Sequence, residues 1–444
     1  MHESMVHRIG RQGAALALGF VLTVGMAPVA SAGSTDTDRI AELQQRLEQS
    51  LKLITELTAR VQHLEAGQAS AALPATGPPA VVPPTDPQRL TTVEAKIAEI
   101  ESASARRLAD DTGLAMHGFA DVGAGTHNPF NDALKGFNIG NLDFYLTPRL
   151  GDRTVTLFEL VFEASTEGEV SVDLERAQVG YVFGDGATAW FGRFHTPYGY
   201  TNTSTHHGAW VNDSLRRPSF LQFEDHGGVL PAHTIGAWLT GALHGADGGK
   251  LLYDAYAGNG QQIIGGQLDM RSAGNGKGKL IVGGRLGYQW TDGVADGLTV
   301  GVHALSAGIS DDAPMQNLTQ LNMVGGYAVY DTDHWEHIAE YYRFNDEDLS
   351  GASGRHQSSA GFVQLGYRAT WGVPYARFEH TSFDQSDNYF RAQATGFSYS
   401  RGVLGVRYDL DLKSALKLEL ARTHAPDRAH FWIDEILAQY AIRF

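Results

Sequence analysis

The sequence predicts an all-β protein, an antiparallel transmembrane β-barrel of about 16 strands preceded by a periplasmic coiled-coil helix. Three observations support this fold class. The C-terminal run 430–444 nearly alternates apolar and polar residues and ends on Phe444, which is typical of a strand with one face in lipid. From residue 113 onward, alternating segments of roughly ten residues are separated by Gly, Asp, Asn and Pro. After the N-terminus, no apolar run reaches the roughly 18 residues of a transmembrane helix.

The first 32 residues predict a signal peptide. Arg8 and Arg11 precede an apolar stretch from Ala14 to Met26, and Ala30-Ser31-Ala32 forms a small-residue cleavage pattern before Gly33. The alternative of a membrane anchor is disfavoured, because the apolar stretch is too short to span a bilayer. The chain has 0 cysteines, which suits export and excludes disulfides, thiolate metal sites and cysteine nucleophiles.

Residues 33–66 carry a heptad pattern that predicts a coiled-coil oligomerisation segment. One heptad position is occupied by Ile40, Leu47, Ile54 and Val61, and the other by Leu43, Ser50, Leu57 and Leu64. A lone helix would expose this apolar stripe, so self-association is expected. Residues 67–87 are rich in Pro and Ala and predict an extended linker. Residues 88–112 predict a short second helix, which completes a periplasmic stalk before the barrel at 113–444.

The predicted barrel segment divides into 16 strands. Their expected starts lie near Leu114, Phe137, Thr154, Val170, Ala187, Thr234, Leu251, Lys279, Leu298, Leu318, Trp335, Gln357, Val373, Phe397, Ala415 and Phe431. An even number of strands suits the closure of a bacterial barrel, and a barrel of this size encloses an aqueous lumen. A soluble β-sandwich or propeller is the alternative, but the signal peptide and the terminal Phe444 disfavour it.

One connection, Tyr198 to His233, is too long for a simple hairpin. It follows Pro197, which cannot donate to a strand ladder and therefore ends the preceding strand. Long connections in compact folds are usually functional or disordered. Apolar side chains within this one argue against disorder: Trp210, Leu215, Phe220, Leu221 and Phe223. The segment is the candidate constriction loop.

Charged residues in and around this loop are the candidate pore residues. Strand alternation places Arg193 and His195 in the lumen if Trp190 faces lipid. The full candidate set is Arg193, His195, Arg216, Arg217, Glu224, Asp225, Arg377 and Glu379. Guanidinium groups at Arg216 and Arg217 suit an anionic solute, and a structural salt bridge is an equally good interpretation.

Five histidines between His195 and His233 raise the possibility of a metal site. The candidate ligands are His206, His207 and His226, with carboxylates nearby at Glu224 and Asp225. No spaced ligand signature accompanies them, so the alternative is that they bond carbonyls and carboxylates in a packed loop. No cofactor is predicted.

An enzymatic function is not predicted. Ser214 beside Asp213 is the nearest arrangement to a catalytic one, but it lacks a nucleophile-elbow setting. The formal charge of -16 also disfavours nucleic acid as a partner.

The stretch Arg176-Ala-Gln-Val-Gly-Tyr181, followed by Trp190-Phe-Gly-Arg-Phe-His-Thr-Pro-Tyr-Gly199, resembles the phosphate-selective porin O and P family. The later pieces Tyr375-Ala-Arg-Phe-Glu379 and Leu416-Lys-Leu-Glu-Leu420 are similar to strands of that family. The resemblance implies a 16-stranded porin with a constricting loop in the lumen. By analogy with large porins, which are commonly trimeric, the coiled coil is expected to form a homotrimer.

The sequence therefore predicts passive diffusion of small hydrophilic solutes or ions across the outer membrane of a Gram-negative bacterium. Outer-membrane lipid is the expected surrounding of the barrel, and selectivity is expected at the loop 198–233. Residues 113–444 contain 24 basic and 37 acidic residues, which does not suit a basic ladder tuned for phosphate. The alternatives are a binding channel for a metal ion or metal chelate, and a structural tether of the envelope.

Overall fold

The computed structural model describes residues 116–126, 136–148, 150–164, 170–184, 186–205, 209–245, 248–269, 280–311, 317–351, 354–429 and 431–444. The predicted signal peptide, coiled coil, linker and second helix all lie outside these residues, as do His206 and His207. The side chain of Asp225 is likewise outside the described part. The structure therefore does not test the predictions made for these segments and side chains.

The described chain forms one antiparallel barrel of 16 strands with a small hairpin in one connection. The strands are β1 (Met116–Gly125), β2 (Gly136–Leu146), β3 (Thr154–Ala164), β4 (Val170–Gly184), β5 (Ala187–His195), β6 (His233–His244), β7 (Lys250–Asn259), β10 (Leu280–Gln289), β11 (Leu298–Asp311), β12 (Asn317–Asp331), β13 (Trp335–Asp348), β14 (Arg355–Tyr367), β15 (Val373–Ser382), β16 (Ser400–Asp411), β17 (Ser414–His424) and β18 (Ile433–Arg443). The hairpin consists of β8 (Gln262–Ile264) and β9 (Gln267–Leu268). Each of the 16 predicted strand starts lies within three residues of an observed one.

Two short helices and three 3-10 turns lie in the connections between strands. The helices are α1 (Thr201–Ser204) and α2 (Asn388–Arg391), and the turns are Ser219–Leu221, Glu224–His226 and Gly293–Ala295. Among the described residues, no helix is long and apolar enough to cross a bilayer.

The barrel closes where β1 pairs with both β2 and β18. The β1–β18 ladder runs from Phe119 opposite Arg443 to Gly125 opposite Leu437. Closure satisfies the backbone N–H and C=O groups that an open sheet would leave unpaired at its edges.

Strand β18 shows how the two faces of the barrel differ. Glu435 is 1% exposed and points into the barrel, whereas the next residue, Ile436, is 53% exposed on the outside. Tyr440 and Phe444 lie on the same outer face as Ile436 and are also exposed. The predicted alternation of this strand is therefore confirmed. An apolar outer face over a polar lumen is the arrangement of a membrane-spanning barrel.

The three longest connections, residues 196–232, 260–279 and 383–399, all leave the barrel at the end opposite Phe444. The first and third fold inward and pack on inward-facing strand residues. Their buried apolar side chains form one cluster with the wall, and its members with less than 2% exposure include Phe194, Tyr198, Phe220, Leu230, Ile281, Tyr342, Phe344, Tyr389 and Phe390. Folded loops thus fill part of the lumen. An inward-folded loop was predicted for the first of these connections, at residues 198–233.

Candidate functional site

The candidate site is the connection between β5 and β6, residues 196–232, which we term the lumen loop. It turns into the barrel directly after β5, where Gly199 adopts a φ of +56°. A Cβ atom at this position would lie 2.1 Å from Glu340 Oε2 and 2.2 Å from the Tyr342 hydroxyl. Only glycine fits so close to the wall in this backbone conformation. The glycine brings the start of the loop against β13.

Glu340 of β13 forms the first attachment point of the lumen loop. The carboxylate is 3% exposed. Its Oε1 accepts hydrogen bonds from the Thr201 backbone N–H at 2.7 Å and from the Thr201 hydroxyl at 2.5 Å. The Tyr342 hydroxyl donates to Oε2. A buried carboxylate with three donors is a strong restraint, because each hydrogen bond to a charged acceptor is worth about 1.5–3 kcal/mol.

His233, the first residue of β6, joins the end of the loop to β4. Its Nδ1 lies 3.0 Å from Glu224 Oε2 in the loop, and its Nε2 lies 2.6 Å from Glu175 Oε2 in β4. The His233 backbone N–H also donates to Glu224 Oε1 at 3.0 Å. The ring of His195 packs edge-on against His233, with 5.3 Å between ring centroids. The imidazole therefore links two buried carboxylates on different elements.

The contact with His233 controls the ionisation of Glu224. Burial alone would raise the pKa of this carboxyl, but the His233 imidazole and the hydrogen bonds hold the pKa below its ordinary value of 4.5. A carboxyl whose pKa is lowered by folding stabilises the folded state above its unfolded pKa. That contribution is lost as the pH falls through the lower, folded pKa. The attachment should therefore weaken in acid.

We expect acid to destabilise the wild-type barrel more than the variant Glu224→Gln. The temperature of the heat-induced gel shift of the folded barrel should fall in the wild type as the pH drops below about 4.5. The Gln variant should start lower at neutral pH and change less with acid. Parallel curves for the two proteins would show that Glu224 does not titrate in this transition.

The middle of the lumen loop crosses to the wall formed by β15, β16 and β17. Arg377 donates to the carbonyl oxygen of Arg216 at 2.7 Å, and Arg407 donates to that of Trp210 at 2.7 Å. Lys417 donates to the carbonyl oxygens of Ala209 and Ser214. Cationic side chains of the wall therefore bind the loop backbone.

The indole of Trp210 contacts two guanidinium groups, those of Arg407 and Arg443. The Arg407 guanidinium carbon is 4.9 Å from the ring centroid, and that of Arg443 is 4.1 Å away. Such cation–π contacts contribute about 0.5–2 kcal/mol each, depending on how far they are removed from water.

Carboxylates of the same wall accept hydrogen bonds from the loop. Glu379 accepts from the Ser219 backbone N–H at 2.7 Å, and Glu419 accepts from that of Leu215 at 3.3 Å. Arg216 Nη1 lies 3.1 Å from Glu435 Oε1. Burial lowers the pKa of the Arg216 guanidinium, and the neighbouring Glu435 opposes this effect.

The connection 383–399 supports the lumen loop from the end of the barrel where the long connections lie. The Tyr389 hydroxyl donates to the carbonyl oxygen of Val229 at 2.5 Å, and the Thr395 hydroxyl donates to that of Gly227 at 2.6 Å. Asp387 caps α2 by accepting from the Tyr389 backbone N–H at 2.8 Å. Burial raises the pKa of this carboxyl.

A cavity of about 250 Å³ lies beside the loop, on the side of β1, β2 and β18. Arg216, Arg217 and Gln222 line it from the loop, and Asp121 and Asp143 line it from the wall. Asn138, Asn141, Asn212 and Gln439 add amide groups. The space is therefore polar, off the centre of the lumen and bounded by opposite charges.

The structure brings most of the predicted pore residues to the lumen loop or its attachment points. Arg377 Nε lies 2.9 Å from Glu379 Oε1, in the wall under the loop. Arg217 donates to Asn202 at 2.9 Å and stacks over the Phe223 ring at 4.6 Å. His195, Glu224 and Arg216 are placed as described above. Arg193 is partly exposed, and its Nε and Nη2 have no hydrogen-bond partner within the described residues.

The condition on which Arg193 and His195 were placed in the lumen, that Trp190 faces lipid, does not hold. The Trp190 ring stacks on Trp238, whose indole N–H donates to the buried Asp254 at 2.9 Å. Phe191, 60% exposed, takes the outer position instead. Phe194 and His195 are nonetheless both buried. Between Phe191 and these two residues, Gly192 has a φ of +127°, which departs from regular strand geometry.

The predicted metal ligand His226 contacts a carboxylate of β3. Its Nε2 lies 3.2 Å from Glu163 Oε1. Within the described residues, no group of three His, Asp or Glu side chains is arranged to hold a metal ion. His206 and His207 lie outside those residues.

Several important residues were missed by sequence reasoning. Glu340, Glu175 and His233 hold the two ends of the loop, yet Glu340 and His233 lie in ordinary strands and Glu175 lies at a register shift between β3 and β4. The available signal was a charged residue at an inward position of a strand, which is common in barrels with an aqueous lumen. The contacts depend on the path of the loop, which no local pattern specifies.

No protein-family model matches the sequence, and no curated protein matches it. The fold matches solved structures. The anion-selective porin from Comamonas acidovorans has a TM-score of 0.50 and 13% identity, covering 74% of this chain and 98% of that one. The outer-membrane channel DcaP of Acinetobacter baumannii has a TM-score of 0.47 and 12% identity, covering 74% and 97%. Salmonella typhi OmpF has a TM-score of 0.47 and 12% identity, covering 75% and 99%.

In fold, the chain is a porin-like, closed, 16-stranded antiparallel β-barrel.

Proposed function

We propose that the protein is an outer-membrane porin through which small hydrophilic solutes diffuse passively, with selectivity set by the lumen loop. The observation that supports this most is the polar cavity left between the loop and the wall of β1, β2 and β18. Charged groups such as Arg216 and Asp121 at the border of a polar space are typical of a passage for hydrophilic solutes, and a barrel that served only as an anchor would not require them.

The way the loop is held supports the same proposal. Glu340, His233 and the cations of β15 to β17 fix it at three places around the wall. A fixed loop gives a passage of constant size, which a passive filter requires. A mobile loop would instead make the size of the passage vary.

The wider setting of the proposal follows the sequence. The barrel would lie in the outer membrane of a Gram-negative bacterium, with the stalk in the periplasm and a homotrimer formed through residues 33–66. These residues are outside the described part of the chain, so the stalk and the trimer are predictions. We do not propose phosphate as the solute, because the cationic side chains of β15 to β17 that could bind it are buried against the lumen loop.

Liposome swelling tests this function. Vesicles containing the purified protein should swell in solutions of small uncharged sugars, at rates that fall steeply as the sugar grows. Size dependence is expected because the lumen loop fills much of the barrel. Vesicles that swell no faster than protein-free ones would reject the proposal. Swelling that requires a metal chelate and saturates with its concentration would favour the metal-binding channel instead.

A further inference from the structure

We propose that Asp346 and Asp387 share one proton and form a proton-linked latch that holds the connection 383–399 on the barrel wall. Asp346 lies in β13, and Asp387 directly precedes α2 in that connection. The latch goes beyond the proposed porin function, because it concerns how one connection is fixed and how a change of pH releases it. The proposal rests on the contact between two buried carboxyl groups.

The two carboxyl groups lie within hydrogen-bond reach of each other. Asp346 is 1% exposed, and Asp387 is 0% exposed. Asp346 Oδ1 accepts the Asn322 backbone N–H at 2.9 Å. Asp387 Oδ1 accepts the Tyr389 backbone N–H at 2.8 Å. Among the described residues, no amide, hydroxyl or cationic group donates to the second oxygen, Oδ2, of either aspartate.

This contact requires a proton between the two groups. Ionised carboxylates only accept hydrogen bonds, and two of them in contact repel each other. If one carboxyl is protonated, it donates to the other and removes one of the two charges. Burial, which raises the pKa of Asp387, also favours the uncharged form. The shared proton belongs to the pair rather than to one residue.

The charged side chains on the surrounding elements do not replace this proton. They are Asp348 on β13, His356 on β14, and Asp384 and Arg391 on the connection. His356 Nε2 lies 3.0 Å from Asp348 Oδ2, and its Nδ1 lies 2.9 Å from Asp384 Oδ2. Arg391 donates to the side-chain oxygen of Asn388. Both of these cationic side chains are therefore engaged by other groups, and β12 contributes the backbone N–H described above.

The latch fixes the part of the connection that supports the lumen loop. The Tyr389 hydroxyl, two residues after Asp387, donates to the lumen-loop carbonyl oxygen of Val229 at 2.5 Å. Phe390 packs edge-on against Phe344 of β13, with 5.1 Å between ring centroids. Loss of the proton would leave two like charges in contact at this point. The connection should then move away from β13 and release its bond to the lumen loop.

The latch predicts that the barrel loses stability as the pH rises. An aspartate of the unfolded chain loses its proton at a pKa of about 3.9, whereas the folded pair keeps one proton to a higher pH. Between these two values the folded state binds one more proton than the unfolded state. The ratio of folded to unfolded protein should therefore fall by up to about tenfold per pH unit. The fall begins above about pH 4 and ends once the pair has lost its proton.

Equilibrium unfolding in urea, in detergent micelles at a series of pH values above 4, tests the latch. Asp387→Asn and, separately, Asp346→Asn keep the hydrogen bond, because a side-chain amide donates as a protonated carboxyl does. Each variant should therefore lack the fall of up to about tenfold per pH unit that the pair adds in the wild type. Asp333→Asn, at an exposed position in the β12–β13 turn, is the matched control for the lost charge and should follow the wild type. Equal pH dependence in the wild type and both latch variants would overturn the proposal.

A second measurement locates the effect in the connection. Gln393 is 2% exposed and the chain has 0 cysteines, so Gln393→Cys places a single reporter thiol at a buried position. As the pH rises, its labelling by a maleimide should accelerate by a larger factor in the otherwise wild-type protein than in combination with Asp387→Asn. Comparing the two proteins at each pH cancels the ionisation of the thiol itself. Equal labelling rates throughout would overturn the latch and leave the porin function intact, because neither measurement depends on conduction.

Discussion

Replacing residues 206–216 by a four-residue Gly-Ser linker should raise single-channel conductance by at least about twofold, because a 16-stranded barrel without an inner obstruction leaves a wide aqueous channel. Outside this segment, the contact from Arg217 to Asn202 at 2.9 Å remains in the shortened protein. The attachment at Glu340, the link through His233 and the apolar contacts of Phe220 and Leu230 remain in the shortened protein.

The same replacement should change ion selectivity. It removes the carbonyl oxygens of Ala209, Trp210 and Arg216 that accept from Lys417, Arg407 and Arg377. Those three cations would then face the lumen and shift the permeability ratio toward chloride.

A matched control separates these effects from a general disturbance of the barrel. The same linker inserted between Leu412 and Lys413, in the exposed β16–β17 turn at the other end of the barrel, should leave conductance and selectivity unchanged. A loop-shortened protein that folds but conducts like the wild type would show that the lumen loop does not limit the passage.

Glu340→Ala should lower the free energy of unfolding by at least about 3 kcal/mol. The substitution removes the acceptor of the Thr201 N–H, the Thr201 hydroxyl and the Tyr342 hydroxyl. Each buried donor left without an acceptor costs about 1–3 kcal/mol. Equilibrium unfolding in urea, in detergent micelles, measures the loss. Frequent closing events in single-channel records should accompany it, because the start of the loop is released.

Two variants define the cause of this loss. Glu340→Gln keeps one carbonyl acceptor without the charge, so an intermediate loss is expected. Glu347→Ala, on the outer face of the same strand with a half-exposed side chain, should change stability by no more than about 0.5 kcal/mol. Equal losses of unfolding free energy in Glu340→Ala and Glu347→Ala would mean that any substitution in β13 destabilises the barrel. The attachment of the loop at Glu340 would then contribute no specific stability.

The strand pattern of this barrel could be predicted from the sequence because it is a local property. A period of two, with turn residues between segments, located all 16 strand starts within three residues. The hairpin β8–β9 and the helices α1 and α2 were not predicted. They are short and lie in connections, where tertiary contacts rather than periodicity decide the conformation.

The site was predictable in its location and not in its contacts. The length and apolar content of 198–233 identified the lumen loop. The path of the loop through the barrel could not be predicted from the sequence, because the hydrogen-bond partners of Thr201 and Leu215 lie more than 130 residues away along the chain. The lumen positions of Arg193 and His195 were inferred on the condition that Trp190 faces lipid, whereas Trp190 stacks on Trp238 and His195 is nonetheless buried against His233.

The central claim, that the space beside the lumen loop is an open passage, is tested most directly by single-channel recording of the purified wild-type protein in planar bilayers. Discrete conductance steps with a linear dependence on voltage are expected, because the loop is held at three places and leaves a polar opening. A folded barrel that inserts without any conductance steps would contradict the claim, since the cavity would then be closed to water and ions.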